Sequence, residues 1–242
     1  MATRERPAFY ALGSGRAAEL FTLLHPPYTL WQLSYYALGA ALAPRVHADR
    51  VIWGLVAFAL AVGVAAHALD ELHDRPLRTA LSDRVLVLLA AFSSAGALAI
   101  GIVGVLIVSV WLLPLVVAGA LFLPAYNLEL AGGRFHGDRW FALGWGAFPA
   151  FTGYFANAEQ IRLPGILIAL GCFLLSAAQR RLSTPARELR RRTQSVSGMR
   201  MRSDGSSEAL SRERLLAPLD GALAALSLAI FVTACAALAS RL

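Results

Sequence analysis

The chain has 242 residues, 57% of them hydrophobic and only 15% charged, with a mean hydropathy of +0.59. A soluble domain of that length carries more charge, so the composition excludes an ordinary water-soluble fold and points to one membrane domain with several apolar spans. The formal net charge is +7 and every basic residue is arginine, but in such a chain a basic balance reports topology before nucleic acid, which is not an expected partner.

The alternation that a membrane barrel needs is absent. The predicted fold class is therefore all-α, a polytopic transmembrane helical bundle of about seven spans in a single domain, 1–242. Residues 1–24 are a cytoplasmic or interfacial segment. Arg4, Glu5, Arg6, Arg16 and Glu19 leave it no clean apolar core, so no cleavable signal peptide is expected. Positions 17–24 predict a short amphipathic helix on the membrane face. The first span opens at His25-Pro26-Pro27-Tyr28-Thr29 and ends near 43. The second covers 51–73, the third 85–103, the fourth 106–126, the fifth 140–156, the sixth 164–178 and the last 215–239. Only Gly101 and Gly104 interrupt the tract holding the third and fourth spans, so a tight turn is expected there. Residues 25–180 form a six-helix core, 181–214 an arginine-rich flexible cytoplasmic loop, and 215–242 the last transmembrane helix. In that loop Thr184-Pro185 starts a short helix over 186–192, and 193–211 read as flexible.

An odd number of spans puts the termini on opposite sides. Arg45, Arg50, Arg162 and Arg241 alone fall on one side, and every other arginine falls on the other. This bias places the amino terminus in the cytoplasm of a cell that holds the chain in its plasma membrane. Cys172 and Cys235 both lie in apolar runs, which argues against a disulfide framework or a thiolate metal site.

The most informative stretch is Ala66-His67-Ala68-Leu69-Asp70-Glu71-Leu72-His73-Asp74-Arg75-Pro76-Leu77-Arg78-Thr79. It lies where the second span meets water. His67, Asp70, Glu71 and Asp74 share one helix face by their spacing, and Pro76 stops the helix. Carboxylates at a helix C-terminus oppose its partial negative charge. Two readings follow: a solvated acidic helix end, or a site for a divalent cation such as Mg²⁺, which takes carboxylate oxygens and substrate phosphates. Two further cytoplasmic connections matter. One runs from Tyr126-Asn127-Leu128-Glu129 through Arg134 to Asp138, and the other opens with Gln179-Arg180-Arg181. If the even-numbered helices end around one cavity, carboxylates and guanidiniums meet there, and a diphosphate fits between them. The arginine cluster of the last loop reads either as a topology signal or as a site for anionic lipid headgroups or a phosphorylated substrate. His67 is a ligand, a base or a hydrogen-bonded partner of Asp70, and His73 is interfacial. Asp220 is an acid at a helix start or a displaced ligand.

These motifs resemble those of the UbiA-type intramembrane prenyltransferases. The family's first motif, approximately Asn-Asp-x-x-Asp-x-x-x-Asp followed by Arg-Pro-Leu, falls on 66–77. There Asp70 and Asp74 match the later two acids, and Ala66 and His67 replace the opening pair. His25-Pro26 resembles the family's Arg-Pro start of the first helix, Tyr126 to Arg134 its tyrosine-to-basic loop, and Gly153-Tyr154 its glycine-tyrosine pair. The resemblance covers roughly 20–180. It implies Mg²⁺ held by Asp70 and Asp74, with Glu71 or His67 assisting. It also implies diphosphate contacts from Arg78, Arg134 and Arg180, and orientation by Tyr126 or Asn127. The substrates implied are a prenyl diphosphate and a lipophilic or aromatic acceptor. The chain departs from the family after its sixth span. A second Asp-x-x-x-Asp motif belongs there, but Ala177 to Thr184 contains no acid. Three readings therefore stand: a divergent prenyltransferase, a non-catalytic isoprenoid-lipid carrier, and a scaffold whose arginine-rich loop recruits a partner.

Overall fold

The computed structural model describes residues 7–13 and 15–241. Arg4, Glu5 and Arg6, used above, lie outside the described residues. The chain is 74% helical. An amphipathic helix α1 (Arg16–Leu23) precedes α2 (Pro26–Ala41), whose first two residues are prolines. A long rod α3 (Ala48–Asp74) follows, then α4 (Asp83–Ile107) and α5 (Val110–Asn127). Helix α6 covers 138–158, α7 is Leu163–Arg191, and α8 is Arg212–Ala239. Five of these, α3, α4, α5, α7 and α8, are long and apolar enough to cross a membrane.

The layering explains why α2 and α6 are less apolar. They form the middle of the bundle, where Trp31, Tyr35, Tyr36 and Tyr154 are all buried. There Trp31 Nε1 donates to the Tyr35 hydroxyl and the Tyr36 hydroxyl donates to the Arg50 carbonyl at 3.0 Å, bonds that lipid does not offer. The outward faces carry the bare hydrocarbon side chains, with Phe92, Leu106, Ile107 and Trp111 among the most exposed residues. In the middle the backbones of α2 and α6 touch. A Cβ on Gly39 would land on the Ala150 carbonyl, and one on Gly153 would land on the Tyr36 carbonyl. Such contact is available only to glycine, and it locks the two helices together.

Two rods change their winding. Ala59–Ala66 of α3 and Ala142–Ala147 of α6 are π-helical. Each inserts extra backbone into an otherwise regular helix, which rotates everything downstream. The first ends immediately before His67.

The structure corrects two sequence expectations. Gly101 and Gly104 make no turn: α4 runs through both to Ile107, and the chain reverses at Val108-Ser109, where the Ser109 hydroxyl accepts from Trp111 N at 3.3 Å. Gly101 serves packing, since a Cβ there would lie 2.9 Å from Val116 of α5. Nor are residues 181–214 a flexible loop throughout. Helix α7 continues through Pro185 to Arg191, so no separate helix starts at 186. Beyond it, strands β1 (Met199–Met201) and β2 (Ser207–Ala209) pair antiparallel, Met199 opposite Ala209. The Arg202–Glu208 ion pair at 2.6 Å braces this hairpin.

Candidate functional site

At one end of the bundle, the termini of α2, α3, α5 and α7 surround a cavity of about 440 Å³. Each helix contributes a stripe. From α3 come His67, Asp70 and Asp74, the spacing that the sequence places on one face. The α7 stripe is Gln179, Ser183 and Arg187, continuing to Arg190 and Arg191. Helix α2 offers Tyr28 and Gln32, and α5 ends in Tyr126 and Asn127. Acid and arginine thus face one another across a single space.

Glu71 does not join them, which corrects its assignment as a metal ligand. It is 0% exposed, and its carboxylate accepts from Leu77 N at 2.9 Å, Thr79 N at 2.8 Å and the Thr79 hydroxyl at 2.9 Å. Those bonds fold the 75–79 segment back under α3, where Arg75 and Arg78 adopt left-handed φ of 49° and 54°. Its neighbour on the helix is turned by about 100°, enough to send Asp70 into the cavity and Glu71 into the loop. Arg78 and Arg134 are exposed and do not line the cavity, so the sequence-based assignment of both to diphosphate is also corrected.

Arg180 lines the cavity, but its Nε donates to Asp138 at 2.9 Å and its guanidinium lies over the Phe141 ring. Arg190 is paired with Asp220, so Asp220 holds a wall arginine in place. Arg191 donates to the Pro7 carbonyl at 3.4 Å, tying the 7–11 segment over the mouth. Arg187 differs from Arg180 and Arg190. Its guanidinium donates to the Thr184 hydroxyl at 3.2 Å, and among the described residues no carboxylate pairs with it or with Arg191. A half-buried guanidinium without a counter-ion beside a cavity is a ready anion site.

His67 is not bonded to Asp70. Its ring stacks on His25, centroids 4.1 Å apart and planes 16° apart. The Thr29 hydroxyl gives its proton to the Leu24 carbonyl at 2.6 Å, so at 3.3 Å it accepts from His67 Nε2. His25 Nδ1 lies 2.6 Å from the Tyr10 hydroxyl. Burial, and then the adjacent Tyr28, raises the Tyr10 pKa well above its ordinary value, which keeps this hydroxyl protonated as the donor. Burial, and then His67, holds His25 well below the usual imidazole range. Tyr126 is buried against Trp145, with ring centroids 4.5 Å apart, and Asn127 donates back to Leu123 O at 2.7 Å.

The donors present suit a hard cation. Asp70 and Asp74 stand one turn apart on the cavity side, and ligand atoms of His73, Asp74 and Glu129 all lie within 4.8 Å of one another. Glu129 sits in a strained turn with φ of 48°, followed by Ala131 at 56°. Sequence reasoning passed over Arg187, Gln32, Gln179 and Tyr10 as site residues. The α7 stripe was readable as a four-residue spacing once Pro185 is allowed inside the helix. Tyr10 left no such signal, because its place depends on the return of the amino-terminal segment.

These features define a class, an α-helical membrane bundle with a charged cavity at one end. No protein-family model, curated protein or solved structure matches the chain.

Proposed function

We propose that the chain is a divergent intramembrane prenyltransferase of the UbiA type, with seven spans. Its substrates would be a polyprenyl diphosphate and a lipophilic acceptor, brought together at the cytoplasmic end of the bundle. The observation that carries this reading is the single cavity in which Asp70 and Asp74 face Arg180, Arg187, Arg190 and Arg191. The spans beyond the five long apolar rods are α2 and α6, whose central burial relieves them of contact with lipid. The arginine bias supports a cytoplasmic amino terminus and residence in the plasma membrane.

In this reading Arg187 and Arg191 hold the diphosphate, and the charges on Arg180 and Arg190 are fixed in position by Asp138 and Asp220. Asp70 and Asp74 would hold Mg²⁺, with Glu129 as a further carboxylate, and the bound ion would offset charge on the leaving diphosphate. The bond between the prenyl carbon and diphosphate oxygen breaks, and its electron pair leaves with the diphosphate. The guanidiniums stabilise that charge as it develops. Tyr28, Tyr126 and Trp145 line the same space and would keep water from the allylic cation. The acceptor then bonds to the prenyl carbon and loses one proton to the released diphosphate.

A second reading is a non-catalytic carrier of isoprenoid diphosphates, favoured by α7 having arginines where the family has its second acidic pair. The test is direct. Purified protein is incubated with labelled prenyl diphosphates, Mg²⁺ and lipid extract. Release of diphosphate that is lost in Asp70→Ala and Asp74→Ala supports transfer. Saturable binding with no release supports the carrier, and neither result would sink both.

A further inference from the structure

Two side chains in the cavity have no part in that reading. Gln32 on α2 and Gln179 on α7 are each 2% exposed, and the carboxamide oxygen of each is buried with no hydrogen-bond partner among the described residues. Both line the cavity. Their depth is set by a bond beneath them, where the Ser176 hydroxyl donates to the Tyr35 hydroxyl at 3.4 Å and ties α7 to α2. These helices run antiparallel, since α2 begins and α7 ends at the cavity. Gln32 precedes Tyr35 by three residues and Gln179 follows Ser176 by three. Each carboxamide therefore stands about one turn above the same bond, on facing helices. They make a floor under the charged rim.

A carboxamide oxygen accepts hydrogen bonds, and one sealed from water without a donor destabilises the fold that contains it. Among the described residues no donor bonds to either oxygen. We infer that Gln32 and Gln179 form a subsite for an O–H or N–H group of a lipophilic ligand, and that the pair selects the second substrate by its ability to donate. This deepens the transfer reading, on which it rests only for calling that ligand an acceptor. A site of this kind rejects a ligand that has a methyl in place of the proton, because both oxygens then stay unpaired.

The test uses the full chain in lipid nanodiscs, with Mg²⁺ and inorganic diphosphate filling the rim. The probes are 4-propylphenol and its methyl ether, 4-propylanisole, followed by thermal shift. The phenol is expected to bind about tenfold or more tightly than the ether. The double variant Gln32→Leu/Gln179→Leu should bind the two probes alike, and should melt at or above the wild-type temperature because both unpartnered oxygens are gone. If it fails to fold, the double variant Gln32→Met/Gln179→Met serves in its place. Equal binding of phenol and ether by the wild type overturns the inference and leaves a floor that holds only water. Variants that keep the preference overturn it as well. Diphosphate release from labelled prenyl diphosphate is measured in parallel. No release with the preference intact defeats transfer and leaves the floor subsite standing, whereas release without the preference defeats the subsite alone.

Discussion

Asp70 and Glu71 are adjacent carboxylates with opposite employment. Glu71 satisfies three donors of the segment that follows α3. Removing it orphans buried N–H groups, so Glu71→Ala is expected to cost about 3 kcal/mol, read as a lower unfolding temperature in detergent. Asp70→Ala should leave that temperature nearly unchanged and abolish Mg²⁺-dependent binding of diphosphate. Arg187→Gln removes a wall arginine that no carboxylate pairs with among the described residues, and should weaken diphosphate binding about tenfold by calorimetry. His25 gives a pH dependence. The folded chain keeps this ring neutral where a free imidazole, with a pKa of about 6.5, takes a proton. Unfolding therefore absorbs a proton below that pH, and stability falls as pH drops from about 6.5 toward the folded value. In His25→Gln that part of the acid loss should vanish from melting curves. The sequence made the 67, 70, 74 stripe readable because helix periodicity alone sets it. The role of Glu71 was not readable, since its partners come from a turn whose left-handed residues no motif announces.

At the scale of elements, winding and close approach decide what the cavity contains. The π-helical part of α3 ends one residue before His67. Deleting Val64 should turn that segment α-helical and rotate the stripe by about 100°. The expected outcome is a chain that still inserts in membranes but no longer binds diphosphate, shown by comparing membrane fractionation with binding. Gly39→Ala and Gly153→Ala each drive a methyl into a facing carbonyl. Both should lower the melting temperature sharply, whereas Gly171→Ala, with open space around it, should not. Existence and order of the helices were legible from apolar runs. The continuation of α7 was not, because proline after threonine is a good helix start as well as a tolerated interruption. The π-helical segments carry no sequence mark beyond small residues.

At the scale of the whole molecule large apolar side chains lie on the outside as well as in the core, with Leu106 77% and Phe92 74% exposed, while the carboxamides of Gln32 and Gln179 are buried. Hydropathy finds the five rods that meet lipid and passes over α2 and α6, which the bundle itself covers. The proposed orientation is checked by labelling. A cysteine at Gln160, in the turn before α7, should react with an impermeant maleimide on intact cells, and one at Ser203 in the hairpin only after permeabilisation. Of the native thiols, Cys172 is buried, and Cys235 is exposed on an apolar helix that should keep aqueous reagents away. The α4–α5 pair has one more property. No charged residue lies between Arg84 and Glu129, and the reversal at Val108-Ser109 is flanked by Ile107, 74% exposed, and Trp111, 70% exposed. One end of this pair is anchored beside the cavity, and the other has no ionic tether to the headgroups. A change in acyl-chain length can then tilt it without dragging a charge through oil. Tyr126, at the anchored end of α5, would move with that tilt, so lipid thickness becomes a dial on the shape of the cavity.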